Sequence, residues 1–136
     1  MAGLTPNTEK KTVDSTLIYQ KVAIKFQNAE IIADIADTQT KRELGLSGRR
    51  ELVEGGGMLF VFDETANHGF WMKDMKFPID ILWIDENKQI IDSISNWATS
   101  TYPKISYPKQ KAKYVLELPA GFIDAHKIKL GEFLEF

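Results

Sequence analysis

Two acidic residues, Asp80 and Glu117, fall inside runs of apolar residues in the second half of the chain. Alternation along the predicted strands 79–85 and 113–118 places both carboxylates on strands whose two faces are largely apolar. A carboxylate in such a place is costly unless an ion pair or hydrogen bonds compensate it. The two residues therefore predict either buried structural partners or a functional polar site.

Nearby basic residues are the expected partners of these acids. Lys73 lies a short connection before Asp80, and Arg49 follows a segment predicted to be helical. One interpretation is structural, with Asp80 capping the loop 74–78 or forming an ion pair. The other is that these two basic residues, together with Asp80 and Glu117, line a pocket that binds a small anionic or polar ligand.

Trp71 belongs to the predicted strand 69–73 and alternates with bulky neighbours. Its side chain either packs in the core or forms an aromatic platform at the edge of the same pocket. An alternative function is an enzyme in which Asp80 and Glu117 form an acid/base pair, because two carboxylates in unlike environments can differ in pKa. The separation of the two carboxyl groups, and whether they face one open cleft, decides whether this alternative stands.

His68, Met72 and Met75 form a weaker constellation within eight residues. Thioether and imidazole groups suit copper(I), so a copper-binding protein is a second alternative. Met72 in a strand more often fills the core. The chain has two histidines and no cysteine, which excludes disulfides and thiolate chemistry and disfavours a site built from several histidines. No cofactor is therefore predicted.

The composition is typical of one ordinary globular domain. The 136 residues include 43% hydrophobic and 26% charged side chains, and the formal net charge is -2. A global basic surplus is absent, so no nucleic-acid partner is expected, and no apolar run is long enough to span a membrane. Residues 101–114 combine lysines and tyrosines without an acid. They could contact an anionic polymer, but their prolines favour a solvated loop.

Turn signals separate short β-like segments along the chain. They predict a mainly β fold, a compact barrel or sandwich of about eight short strands with one or two short helices. Residues 1–15 are predicted to be a flexible tail, and 16–136 a single globular β-rich domain. The predicted strands are 22–26, 31–35, 58–62, 69–73, 79–85, 89–95, 113–118 and 132–136.

Two short helical segments are predicted. Thr40 and Glu43 have the spacing of a capping box, which predicts the start of a helix that Gly45 and Gly48 end or loosen after roughly two turns. A turn or short helix is also predicted from Gly121 to about His126.

Five segments of the chain occur in a recognisable order. They are Arg42-Glu-Leu-Gly45-Leu-Ser-Gly-Arg49, Gly57-Met-Leu-Phe-Val-Phe62, Phe70-Trp-Met-Lys73 with Pro78-Ile-Asp80, Tyr114-Val-Leu-Glu-Leu-Pro-Ala-Gly121, and Ile128-Lys-Leu-Gly131-Glu. In this order and spacing the chain resembles the domain of unknown function 192 family, a group of small bacterial and archaeal proteins. The resemblance covers about residues 30–136 and implies a compact β-rich domain.

The resemblance also bears on location and role. Many family members are exported, which implies a periplasmic or extracellular location, whereas the polar residues 1–15 lack the apolar stretch of a signal peptide and otherwise indicate the cytoplasm. The family pattern has Met where Ser47 stands, and Asn-Thr where Asp74 and Met75 stand. The resemblance implies no reaction. The residues of the pocket therefore favour a non-enzymatic binding or accessory protein for a small polar or anionic ligand.

Overall fold

The computed structural model describes residues 18–136, so the predicted tail 1–15 lies outside the described residues. The strands in this part are β1 (Lys21–Lys25), β2 (Glu30–Ala36), β3 (Gly56–Ala66), β4 (Ile79–Ile84), β5 (Ile90–Trp97) and β6 (Ala112–Pro119). They form one sheet in the order β1-β2-β3-β6-β4-β5, in which β2 and β3 run parallel and the other neighbours antiparallel. The mainly β prediction is confirmed, but the described part has six strands, fewer than the predicted number of about eight.

The predicted strand 69–73 is a loop in the structure. It meets the loop 98–111 at a single point, where Phe70 and Ser106 exchange backbone hydrogen bonds of 2.9 and 2.8 Å. Phe70 and Met72 are almost fully buried against the sheet. The apolar composition that is typical of a strand therefore serves packing onto a face of the sheet instead of extending its edge.

The predicted strand 132–136 is also irregular. This segment forms one isolated bridge to Lys25 in β1 and another to Gln89, just before β5. Since it crosses from one edge of the sheet towards the other, it pairs continuously with neither. The strand order is open, with β1 and β5 at its edges, so the sheet is not a closed barrel.

The first helix, α1 (Gln39–Leu44), begins two residues earlier than predicted. Its N-cap is Thr38, whose hydroxyl oxygen accepts from the backbone N–H of Lys41 at 3.2 Å. Thr40 is already inside the helix, so the predicted capping box is wrong. Gly45 ends the helix with a φ of 54°, as predicted. No helix within the described residues is long and apolar enough to cross a membrane.

Buried side chains cover both faces of the sheet, and β4 and the middle of β6 are buried on both sides. We call one face the helix face, because the short helix α2 (Phe122–His126) packs on it. The other is the loop face, which residues of the loops 45–55 and 67–78 cover. Leu59, Leu82, Leu116 and Phe122 lie in the core of the helix face, and Leu46, Met58, Phe60, Met72 and Ile81 in that of the loop face.

Asp80 lies on the helix face, in register with Leu118 of β6, and is fully buried. Its Oδ1 accepts from the backbone N–H groups of Asn96 at 2.8 Å and Gly121 at 3.1 Å, and its Oδ2 accepts from that of Ile123 at 2.7 Å. Backbone N–H groups therefore compensate the buried carboxylate. Asp80 has a structural role, but it caps the start of α2 and not the loop before β4.

Replacing Asp80 by Asn should lower the free energy of unfolding by about 2–4 kcal/mol, because the amide loses the charged acceptor and turns a donor towards a backbone donor. Urea denaturation measures the difference. Asp124→Asn, at an exposed acid in α2, is the matched control and should cost less than about 1 kcal/mol. A loss below about 0.5 kcal/mol for Asp80→Asn would contradict the capping role.

Candidate functional site

Glu117 lies near the centre of β6 on the loop face, in register with Met58 of β3 and Ile81 of β4. It is fully buried, and neither carboxylate oxygen has a hydrogen-bond partner among the described residues. A buried polar group without a partner lowers stability, and an ionised one lowers it more. Glu117 is therefore a group whose hydrogen-bonding capacity is not used by residues 18–136.

The environment of Glu117 changes its ionisation. Burial raises the pKa of Glu117 from 4.5 to about 7, and the positive charge of Arg49 opposes this rise more weakly. Near neutral pH Glu117 is thus divided between a neutral acid, which donates one hydrogen bond, and a carboxylate, which only accepts. The same side chain can meet either a donor or an acceptor of a bound molecule.

Arg49 connects Glu117 to a second acid. Its Nη1 donates to Asp34 Oδ2 at 3.1 Å, and Lys21 pairs with the other oxygen of Asp34. Asp34 is in register with Met58, which is in register with Glu117, so the two acids lie in one row two strands apart, at about 10 Å. The side chain of Arg49 is 33% exposed, so the Asp34 end of this row borders solvent.

Tyr19 completes this group of residues. The guanidinium carbon of Arg49 lies 5.2 Å from the centroid of its ring, a cation–π distance. The Tyr19 hydroxyl is buried beside the Arg49 side chain, whose charge and hydrogen bonding both act on it. Burial raises the pKa of Tyr19, and the charge of Arg49 opposes the rise. We call Tyr19, Asp34, Arg49 and Glu117 the polar cluster.

Sequence reasoning identified Arg49 and Glu117 and missed the other two members of the polar cluster. Asp34 alternates with apolar residues of β2 as a solvent-facing residue would, and Tyr19 comes just before β1. A local signal for Asp34 comes from Ala36, which is apolar and lies on the same face of β2. In the structure Ala36 is fully buried. It indicates that this face of β2 is covered near its end.

The two loops that cover the loop face are bonded to each other. Ser47 Oγ donates to the carbonyl of Lys73 at 3.1 Å, and the Gly48 N–H donates to the carbonyl of Asp74 at 3.0 Å. These bonds bring the loop of Arg49 beside the loop of Lys73. Ser47 contributes its side chain to this junction, and Asp74 contributes its backbone carbonyl.

Trp71 and Lys73 are half-buried and contact each other. The Lys73 ammonium lies 5.7 Å from the centroid of the Trp71 ring. The centroids of the Trp71 and Tyr102 rings are 5.3 Å apart, and the two ring planes are tilted relative to each other by 54°. The aromatic platform is thus part of a packed group. It belongs to the loop that is bonded to the loop of Arg49.

Asp80 does not belong to this site. Ile81 is in register with Glu117, and Asp80 is in register with Leu118. Neighbouring residues of a strand point to opposite faces, so the sheet separates the two carboxylates. Asp80 is therefore not part of the predicted pocket. The predicted acid/base pair is not formed, because its two acids cannot face one cleft.

The residues of the copper hypothesis are engaged elsewhere. His68 stacks on Phe62 with ring centroids 3.6 Å apart, and its Nε2 lies 2.8 Å from the carbonyl oxygen of Glu64. Met72 and Met75 are buried in the core of the loop face. Among the described residues no group of three or more histidines, cysteines and acids could hold a metal ion. The structure thus supports core packing for the two methionines.

Comparison with known families places the chain among uncharacterised proteins. The profile of DUF192, described as "Uncharacterized ACR, COG1430", matches residues 21–136. A UPF0127 protein of Pyrococcus furiosus is 29% identical over 119 residues, which cover 82% of this chain and 92% of that protein. A UPF0127 protein of Pyrococcus abyssi is 29% identical over 126 residues, which cover 88% of this chain and 96% of that protein.

Two crystal structures are similar to this fold. A proposed transcription regulator from Sinorhizobium meliloti has a TM-score of 0.81 and 30% identity, over 86% of this chain and 94% of its own. A protein of unknown function from Novosphingobium aromaticivorans has a TM-score of 0.79 and 22% identity, over 98% of this chain and 100% of its own. The second similarity concerns the fold alone.

The raised pKa of Glu117 predicts a specific dependence of stability on pH. Between pH 4.5 and about 7 the folded state holds a proton that the unfolded state has released, so the free energy of unfolding should fall as the pH rises. Relative to Glu117→Gln, which does not titrate, the wild type should lose about 3 kcal/mol across this range. Urea denaturation of both proteins at a series of pH values measures it.

The control for this measurement is Glu54→Gln, which removes an exposed acid. Its stability should follow that of the wild type at each pH. Parallel profiles for the wild type and Glu117→Gln would show that the Glu117 carboxyl is hydrated in solution.

Proposed function

This chain belongs to the DUF192 family, and we propose that it is a non-enzymatic binding or accessory protein whose polar cluster holds a small polar or anionic ligand. The observation that carries the proposal is Glu117, a fully buried carboxyl group with no hydrogen-bond partner among the described residues. A ligand that bonds to this group offsets part of the cost of burying it. Binding therefore uses a hydrogen-bonding capacity that residues 18–136 leave unused.

The chemistry of the cluster defines the ligand. Glu117 requires a hydrogen-bond donor when it is ionised, and the Tyr19 hydroxyl can serve an acceptor. Arg49 has five N–H donors, and its Nη1 donates to Asp34 Oδ2. A small molecule with a hydroxyl, amine or amide at one end and a carboxylate or similar anion at the other would satisfy all three groups. The exposed part of Arg49 provides the approach.

Lys73 supports the preference for an anion. Its ammonium lies on Trp71, in the loop that is bonded to the loop of Arg49. A second cation at this edge raises the local positive potential, which favours an anionic group on the ligand. Trp71 would add apolar contact area on the same side.

Binding is preferred over catalysis because Asp80, the predicted acid/base partner of Glu117, does not lie in the polar cluster. Asp80 is on the opposite face, and three backbone N–H groups occupy its oxygens. Glu117 therefore cannot form the predicted acid/base pair with Asp80, and the acid on its own face, Asp34, is already paired with Arg49 and Lys21. A site of this kind orients and holds a molecule.

Location is a further part of the proposal. The family resemblance favours a protein that acts outside the cytoplasm. Fractionation of the source cells, followed by immunodetection of this protein, tests this. Recovery in the cytoplasmic fraction would contradict it.

A thermal-shift panel of amino acids, hydroxy acids, amides, polyols and simple carboxylates at neutral pH tests the binding proposal. At about a hundredfold excess over Kd, a ligand of the proposed class should raise Tm by about 5–10 °C. Arg49→Gln should remove most of this rise, because the anion loses its charged partner. Glu117→Gln should reduce it, because the amide presents a donor where the carboxylate accepts.

Arg50→Gln is the matched control, since it removes an exposed arginine next to the site residue. It should bind like the wild type. If the compounds that raise Tm do so equally in the wild type, Arg49→Gln and Glu117→Gln, they bind elsewhere and the proposed site is wrong.

A further inference from the structure

The loop 98–111 presents a second surface that the polar cluster does not use. Tyr102 is 44% exposed, Ile105 43% and Tyr107 61%. Exposed apolar side chains that are grouped in this way are typical of an interaction surface. The sequence from 98 to 116 contains no acid. The exposed lysines of the loop are Lys104, Lys109 and Lys111.

Backbone hydrogen bonds hold this loop against the rest of the fold. Phe70 and Ser106 exchange two of them, at 2.9 and 2.8 Å. Asp92 Oδ2 accepts from the backbone N–H of Lys109 at 2.9 Å. Asp92 is itself buried, and its oxygens accept from the backbone N–H groups of Ser93 and Lys109. The loop therefore displays its side chains on an ordered backbone.

The apolar side chains of the loop lie side by side. A Cβ atom added at Gly69 would lie 2.5 Å from Tyr107 Cε1 and 2.9 Å from Ile105 Cγ2, so both side chains rest on the bare backbone of this glycine. The Tyr102 ring packs against Trp71, two residues further along the same segment. Tyr102, Ile105 and Tyr107 thus form one strip, which we call the tyrosine strip.

We propose that the tyrosine strip and its lysines bind the surface of a bilayer that contains anionic lipid. Tyrosine side chains favour the boundary between headgroups and hydrocarbon, and the aliphatic Ile105 can enter the hydrocarbon below it. Lysines near such a surface are attracted to anionic headgroups. The proposal is independent of a ligand at the polar cluster.

A bilayer fits this surface better than a single-stranded nucleic acid does. A nucleic acid would use the rings for stacking and the lysines for phosphates, but it has no use for the exposed side chain of Ile105. The net charge of the whole chain is -2. Attraction is therefore confined to this loop, and the binding should be reversible and sensitive to salt.

Cosedimentation of the full chain with vesicles tests the proposal. The protein should sediment with vesicles of about one phosphatidylglycerol to three phosphatidylcholines, remain in solution with pure phosphatidylcholine, and be released by about 0.5 M salt. The triple variant Lys104→Gln, Lys109→Gln, Lys111→Gln should partition at least about tenfold more weakly. Ile105→Ser should also weaken partition, by about threefold or more.

The matched controls remove the same groups at other exposed positions. They are the triple variant Lys25→Gln, Lys127→Gln, Lys129→Gln and the single variant Leu130→Ser. Both should partition like the wild type. Thermal melting verifies that each variant is folded, and Tyr107→Ser replaces Ile105→Ser if the latter is not.

Three results would overturn the proposal. The first is no sedimentation with the anionic vesicles at low salt. The second is an equal loss of partition in the test and control variants, which would show attraction by overall charge. The third is salt-sensitive binding to a single-stranded oligonucleotide without binding to vesicles, which would assign the loop to nucleic acid.

Discussion

The central constraint in this molecule is that β6 lies between β3 and β4 in a sheet that is covered on both faces, so the middle of this strand is buried on both sides. Any polar side chain placed there must give up water. Glu117 is in this position, and its raised pKa follows from the loss of solvent. The charge of Arg49 acts on this acid from the loop above the sheet, and Arg49 in turn is held by Asp34. The polar cluster is thus arranged around a group that the sheet itself makes costly to ionise.

The two buried acids differ in one respect that decides their roles. Asp80 and Glu117 are both fully buried on adjacent central strands. Three backbone N–H groups occupy the oxygens of Asp80, whereas the fold offers none to those of Glu117 within its described part. Burial alone therefore does not identify a functional carboxylate. The number of hydrogen bonds that the fold supplies distinguishes a structural group from one that is available to a ligand.

The loop face combines three kinds of surface on one scaffold. The loop of Arg49 is bonded to the loop of Lys73, and the latter exchanges backbone bonds with the loop 98–111 at Phe70. Arg49 of the polar cluster, the packed pair of Trp71 and Lys73, and the exposed tyrosine strip are therefore carried by three loops that are bonded to one another. A ligand bound at the polar cluster and a bilayer bound at the tyrosine strip would contact neighbouring loops of one protein.

Local patterns of the sequence determined the mainly β class, the strand positions of both acids and the end of α1 at Gly45. They could do so because the period of a strand and the φ preference of glycine act over a few residues. The segments 69–73 and 132–136 have the composition of strands, but in the structure they form only isolated bridges. Only the tertiary structure decided that Asp80 and Glu117 face opposite sides, and that Asp34 meets Arg49. These facts depend on which distant strands become neighbours, which the pattern of a single segment does not encode.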